Sequence, residues 1–138
     1  MKGRRLLLLL PILLLAGGAA YFFLLHKRPP KPAPPEQTYE FALADLAVNL
    51  ADTDRPHYLS ASLTIVFKGV DPQPAVEAHD AELRDAVITT TTQHTYTDLL
   101  TPKGKETLKR DLAVAAEAVL TEDRLSVETV LFTSFLMD

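Results

Sequence analysis

Residues 57–67 read HYLSASLTIVF, and their alternation decides what the folded part of the chain can be. Apolar residues occupy every second position of this stretch: Leu59, Ala61, Leu63, Ile65 and Phe67. The positions between them carry mostly hydroxyl-bearing residues. Because successive side chains of a strand point to opposite faces, a period of two predicts a β-strand with one buried face.

A second strand precedes this one and should pair with it as an antiparallel hairpin. Between residues 39 and 50, apolar residues first occupy odd positions and then, after Asp45, even ones. A change of phase by one residue is what a β-bulge or a bend produces. The polar segment 51–56 predicts the connecting turn, since its proline cannot donate a hydrogen bond to a sheet.

Two helical segments are expected next. Residues 75–88 are rich in helix formers, but the four threonines that follow leave the end of this helix undecided, because threonine competes with the backbone for hydrogen bonds. Thr101 and Pro102 are a sharper signal, since threonine is a good N-cap and proline a good first helical residue. Apolar residues at helical spacing then predict a helix from Pro102 to Leu120.

The last stretch, residues 125–137, reads LSVETVLFTSFLM and is apolar on both faces after Glu128. Two interpretations stay open: a central strand covered on both sides, or a strand with one face available to a neighbouring subunit. Under the second, Val130, Phe132 and Leu136 form the candidate self-assembly surface. The order of elements predicts an α+β domain with a three-stranded or larger antiparallel or mixed sheet and two or more helices.

Residues 6–25 read LLLLLPILLLAGGAAYFFLL and carry no charge. At a rise of ~1.5 Å per residue, this run matches the thickness of a bilayer's hydrocarbon core. It predicts a single uncleaved transmembrane helix after a short tip, residues 1–5. The alternatives are a cleaved signal peptide, with small residues at 18–20 as its cleavage site, and a buried helix of a soluble protein.

The flanks of this apolar run suggest its orientation and a spacer. Lysine and arginine are equally frequent on the two sides, so the positive-inside rule decides little, and the short basic tip favours a cytoplasmic amino terminus. Five prolines between residues 29 and 35 favour polyproline II. We expect residues 26–38 to form a semi-rigid stalk, with a proline-rich recognition motif as the alternative, and residues 39–138 to form the domain.

Composition excludes several classes of function. From Glu36 onward, 18 acidic and eight basic residues give a net charge of −10, which argues against nucleic-acid binding. The chain has no cysteine, and His57, His79 and His94 lack metal-ligand spacing, so solvated or capping roles are expected for them. No nucleophile has an obvious base partner. We therefore expect a non-enzymatic protein with no catalytic residues, no metal, no cofactor and no small-molecule substrate.

Short motifs in a fixed order connect the chain to a known family. They are Val48-Asn49-Leu50, Tyr58-Leu59, LRDAVI at residues 83–88, LLTPKGK at residues 99–105 with Leu108, and VLFTSF at residues 130–135. Together with the basic tip and the apolar run, this order resembles the FliL family of flagellar basal-body-associated proteins. The chain departs from the usual family pattern at Thr89–Thr92 and in its last three residues.

This resemblance implies a location, a fold and partners. It implies a single-pass protein of the bacterial inner membrane, at the flagellar basal body, with its amino terminus in the cytoplasm and its domain in the periplasm. It implies a stomatin-like fold that is helical over residues 80–92, and a homo-oligomeric ring around the stator proteins MotA and MotB that supports swimming or swarming. The alternatives are a membrane-anchored binding or scaffold module of another envelope assembly and, third, a periplasmic enzyme.

Overall fold

The protein is described here by a computed structural model. It describes residues 36–138 and three residues nearer the amino terminus, Gly18, Tyr21 and Phe22, which are helical. The chain divides into two compact units, Met1–Pro34 and Pro35–Asp138. Residues 36–138 are called the folded unit below.

The predicted membrane helix falls mostly outside the described residues. Only three positions of residues 6–25 are described, and the tip and nearly all of the stalk are not. Within the part of the chain that the structure describes, no helix combines the length and the apolar character needed to cross a bilayer. The span, its orientation and the stalk therefore stay predictions.

An antiparallel three-stranded sheet is the framework of the folded unit. Its strands are β1 (Thr38–Asn49), β2 (Tyr58–Lys68) and β3 (Ser126–Met137), in the order β1-β2-β3. The predicted hairpin of the first two strands and the α+β class are confirmed. The interpretation of the last strand as a central one is wrong, because β2 pairs with both neighbours and β3 lies at the edge of the sheet.

The predicted change of phase in β1 is a bulge. The pairing of β1 with β2 shifts between Leu43 and Leu46, and Asp45 adopts a positive φ of 57°. Aspartate tolerates the left-handed region better than most residues, which suits it to this position. The bulge keeps Leu43 and Leu46 on the same buried face although they are three residues apart.

Four α-helices and a 3-10 turn connect β2 to β3. They are α1 (Gln73–Ala78), α2 (Asp80–Thr91), α3 (Tyr96–Leu99), α4 (Pro102–Val119) and the turn Thr121–Asp123. The first predicted helix is thus two helices, which meet at His79. The threonines are helical as far as Thr91, as the family resemblance implied.

Side-chain hydrogen bonds explain why threonines can end α2. The Thr91 hydroxyl donates to the carbonyl of Val87 at 2.7 Å, and the Thr92 hydroxyl donates to the carbonyl of Thr89 at 2.7 Å. Each hydroxyl therefore bonds to a carbonyl of the preceding turn, an arrangement that threonine can adopt within a helix. The hydroxyl of Thr91 is thereby satisfied although the residue is buried.

The start of α4 is the one that the sequence predicts. The Thr101 side chain accepts a hydrogen bond from the backbone N–H of Gly104 at 2.9 Å, and Pro102 is the first helical residue. This N-cap satisfies one of the amide groups that the first turn of a helix leaves without a partner.

The core lies between the helices and one face of the sheet. The alternating apolar residues of β2 contribute one side of it. Residues of α2 and α4 at helical spacing contribute the other side: Leu83, Val87, Leu108, Leu112 and Ala116. Among the described elements, only this face of the sheet is covered by helices, so the opposite face is the place to look for a binding surface.

Candidate assembly surface

The sheet face opposite the helices has an uncharged middle. Strand register assigns ten uncharged residues to it, called the open face below: Ala42, Ala47, Ser60, Ser62, Thr64, Val66, Thr129, Leu131, Ser134 and Leu136. The two in the centre of β2, Thr64 and Val66, are only 9% and 8% exposed. Charged residues lie only around it: Glu40 and Lys68 toward one end, Asp45 at the bulge and Asp138 at the other end. A solvated sheet face normally carries polar and charged residues, so a charge-free middle is unusual for a unit of net charge −10.

Large apolar side chains project from this face. Leu136 is 67% exposed, Leu131 is 43% exposed, and Tyr58, beside the open face at the start of β2, is 53% exposed. Cores of protein interfaces are poor in charge and rich in aromatic and aliphatic side chains. The open face with Tyr58 is therefore the best candidate for a contact surface on the folded unit.

The three residues predicted as a self-assembly surface do not share one face. Val130 is 1% exposed and pairs with Ile65 on the helix side, so it belongs to the core. Phe132 also lies on the helix side, half-buried, with its ring 4.9 Å from that of Phe135 in an edge-to-face arrangement. Only Leu136 lies on the open face. Self-assembly itself stays a prediction.

An irregularity in β3 explains this separation. Ser134 pairs with Ser62 and Phe132 pairs with Leu63, so Thr133 is an extra residue in β3. An extra residue shifts the alternation of side chains by one position. Val130 and Leu136 are an even number of residues apart and would share a face in a regular strand, but the irregularity places them on opposite faces.

Leu131 and Tyr58 are surface residues that the sequence did not single out. Tyr58 stands at an outward position of the regular alternation in β2, which is a usable signal. Leu131 sits within a continuous apolar run, where periodicity cannot tell the two faces apart. Only the pairing of Leu131 with Thr64 assigns it to the open face.

Helix α4 holds β3 in place from the other side of the sheet. The Glu117 carboxylate accepts a hydrogen bond from the backbone N–H of Val127 at 2.8 Å. The Lys105 ammonium lies 5.3 Å from the centre of the Phe135 ring, within the range of a cation–π contact. These contacts fix both ends of the strand that carries Leu131 and Leu136.

One group of possible metal ligands occurs in the described residues. Ligand atoms of Asp52, Asp54 and His57 lie within 4.8 Å of one another. However, His57 Nε2 is 3.1 Å from Arg55 Nε, which donates to it, and His57 Nδ1 is 3.2 Å from the backbone oxygen of Asp138. Both ring nitrogens are therefore engaged, and this histidine ties the loop after β1 to the last strand.

The histidines differ in part from the prediction of solvated or capping roles. His57 is buried and stacks on the Tyr96 ring at 4.1 Å, because the loop after β1 folds onto α3. His94 Nε2 lies 3.2 Å from an Asp111 carboxylate oxygen of α4. His79 lies between α1 and α2 and is partly exposed. The structural role of His57 could not be predicted from its isolated position in the sequence.

Comparison with known proteins gives the family. The family model described as flagellar basal body-associated protein FliL matches residues 40–137, which runs from β1 to the end of β3. The flagellar protein FliL of Aquifex aeolicus is 34% identical over 109 residues, which is 78% of this chain and 66% of that relative. The alignment thus spans slightly less than two thirds of the relative's length. The resemblance seen in the sequence is confirmed, and the chain belongs to the FliL family of flagellar basal-body-associated proteins.

Proposed function

We propose that the chain is a non-catalytic scaffold protein of the flagellar basal body, which assembles with copies of itself beside the motor stator and supports flagellar rotation. The observation that carries this proposal is the family match over residues 40–137, which includes all three strands and all four helices of the folded unit. The match therefore concerns the whole fold and does not depend on one short motif.

The proposal includes an arrangement in the membrane. Residues 1–5 form a cytoplasmic tip, residues 6–25 a single inner-membrane helix, residues 26–38 a proline-rich stalk, and residues 39–138 a periplasmic domain. The uncharged run of 20 residues supports the span by its length, and the acidic character of the folded unit suits a domain that does not bind anionic headgroups. A stator complex in the same membrane is within reach of such a domain.

The proposed partners are the stator proteins MotA and MotB and further copies of this chain, arranged as a homo-oligomeric ring. The open face supports a binding role, since its uncharged middle and exposed leucines have the composition of an interface core. Of the predicted assembly residues, Leu136 is the one that can contribute directly. Phe132 is half-buried at the edge strand and can contribute by supporting it.

Deletion of the gene in its motile host tests the proposal. The expected result is a loss of swimming speed or of swarming that is restored by the wild-type chain. Crosslinking in cells between the periplasmic domain and MotB should give a product of the summed mass. Unchanged swimming and swarming would contradict the proposal. If the chain also crosslinked only to proteins of another envelope assembly, the alternative of a general membrane-anchored binding module would be favoured.

A further inference from the structure

We propose that copies of this chain contact one another head to tail along α4, with the corner before this helix in one copy seated in a groove at the end of the same helix in the next copy. The corner comprises residues 100–103, which join α3 to α4. The groove, called the acidic groove below, is lined by His79, Glu82, Ala118, Val119, Thr121 and Glu122. This contact deepens the proposed self-assembly, and it rests on that proposal and on the proposed membrane anchor.

Charge is unevenly distributed along α4, although the folded unit is acidic as a whole. Four of the unit's eight basic residues lie within residues 103–110, in the first half of the helix. The first turn contains no acidic residue and the last turn contains no basic one. Glu122 and Asp123 follow the helix, and Glu82 of α2 lines the same groove as Glu122. The two ends of α4 therefore carry opposite charge.

This distribution works against the stability of α4 itself. The start of a helix carries a partial positive charge and its end a partial negative one, so acidic residues suit the start and basic residues suit the end. Lys103 and Lys105 in the first turn, and Glu122 beyond the last, have the unfavourable sign. Such local conflicts are expected mainly at functional positions. They strengthen the field at both ends of the helix, which favours head-to-tail contact between copies.

Lys103 and Glu122 have charges that the folded unit does not pair. Both residues are exposed. Among the residues that the structure describes, neither side chain takes part in an ion pair or a hydrogen bond. By contrast, Lys109 of the same helix is paired with Glu106 at 2.8 Å. Seating the corner of one copy in the acidic groove of the next gives Lys103 and Glu122 each a partner of opposite charge.

The apolar character of the two surfaces also matches. Leu100, the first residue of the corner, is 55% exposed. Ala118 and Val119 form an apolar part of the lining of the acidic groove, whose volume is about 630 Å³. Clefts of this size hold small ligands, so a leucine and a lysine side chain have room there. Contact between Leu100 and this lining would remove apolar surface from water.

The contact joins two different surfaces, which lie at opposite ends of an 18-residue helix, about 27 Å long at ~1.5 Å per residue. Every pair then keeps one free corner and one free groove, so further copies add until the series closes into a ring. Rotation about the membrane normal keeps the start of β1 at the same height in each copy, as chains anchored in one membrane require. In such a ring α4 runs along the circumference.

The contact is small, and we expect it to be weak between copies that are free in solution. One corner in one groove would bury less surface than the roughly 1,200–2,000 Å² of a stable, specific interface. Anchoring in one membrane raises the effective concentration, and closure of the ring gives each copy two contacts. The helices cover the other side of the sheet from the open face. The open face therefore stays uncovered, and a neighbouring copy does not compete there with a stator protein.

Cysteine crosslinking of the full-length chain in host membranes tests the contact, since the natural sequence has no cysteine. Thr97→Cys places a thiol one helical turn before Leu100, and Ala118→Cys places one in the acidic groove; both positions are exposed. Treated with a short bismaleimide, a chain with both substitutions should give a ladder of covalent dimers, trimers and larger multiples. Either substitution alone should leave the chain monomeric. Thr97→Cys with Ser60→Cys, exposed on the open face, is the matched control and should give no ladder.

Charge reversal tests the specificity of the contact. Lys103→Glu in the chain with both cysteines should lower the yield of the ladder at least tenfold, because like charges that face each other across an interface are strongly unfavourable. Glu122→Lys should do the same, and the two reversals together should restore the ladder. The circular dichroism of the Lys103→Glu chain should be that of its parent, because an acidic residue suits the first turn of a helix.

Dimers without larger multiples would overturn the inference, since they would indicate a pair that closes at two copies. It would also be overturned by a ladder that persists in the Lys103→Glu chain, by a double reversal that does not restore the ladder, or by products with the mass of a different protein. Failure of this contact can be told apart from failure of the proposed function. A chain that gives no ladder but still crosslinks to MotB and supports swimming would refute only the head-to-tail contact.

Discussion

Replacement of Gly104 by alanine should destabilise the folded unit, although alanine is the better helix former. A Cβ atom at Gly104 would lie 1.9 Å from the backbone oxygen of Asp98 and 3.1 Å from Thr101 Oγ1. Non-bonded carbon and oxygen atoms approach to about 3.3 Å, so the two groups would have to separate by roughly 1.4 Å. The neighbour is backbone and cannot rotate out of the way.

The magnitude follows from what the displaced carbonyl does. The Asp98 oxygen accepts hydrogen bonds from the Thr101 hydroxyl at 2.9 Å and from the Thr101 N–H at 3.1 Å, so moving it disturbs the start of α4. Overpacking of this kind costs about 1–3 kcal/mol, and a lost N-cap costs about 1 kcal/mol. The higher helix propensity of alanine than of glycine offsets up to about 1 kcal/mol of this loss of stability. The expected net loss is about 1–3 kcal/mol.

Thermal or urea unfolding of residues 36–138, followed by circular dichroism, measures this loss. Gly69→Ala is the matched control, because Gly69 has a φ of +84° and a Cβ added there would meet no atom within 4 Å, so only about 1 kcal/mol of backbone strain is expected. A Gly104→Ala variant at least as stable as the wild type would refute the steric argument, since helix propensity alone predicts that result.

Three further substitutions test single contacts of the fold by the same unfolding measurement. Thr101→Ala should cost about 1 kcal/mol, because the N–H of Gly104 loses its cap, and Thr101→Ser should restore most of the loss. Glu117→Ala should cost about 1–2 kcal/mol because the N–H of Val127 loses its acceptor; no loss would show that water replaces the carboxylate. Thr91→Val should change stability by less than about 1 kcal/mol, because the buried hydroxyl bonds only within its own helix; a larger loss would show that it has another role.

Local patterns were sufficient for the parts of the fold that depend on local chemistry. The alternation in β2 predicts a strand with one buried face, the phase change at Asp45 predicts the bulge, and Thr101 followed by Pro102 predicts the start of α4. Each of these depends on residues that are close in sequence. Backbone geometry and capping act over the same short range, so the prediction and the structure agree.

The position of β3 could not be predicted in this way. A continuous apolar run can belong to an edge strand or to a central strand. The two differ in whether one or two neighbouring strands pair with it, which the run itself does not show. The extra residue at Thr133 has no marker such as glycine or proline, and it moves Leu136 to the face opposite Val130. The three candidate assembly residues therefore do not share one face, and their role in self-assembly stays a prediction.

The most direct test of the account is the position of the full-length chain in swimming cells of its host. A fluorescent fusion that restores motility to a deletion strain would be imaged together with a marker of the flagellar base. Membership of the FliL family and the proposed scaffold role predict fluorescent foci at the flagellar bases, in numbers that follow those of the flagella. A functional fusion spread evenly through the envelope, or foci that persist apart from the flagella, would contradict it.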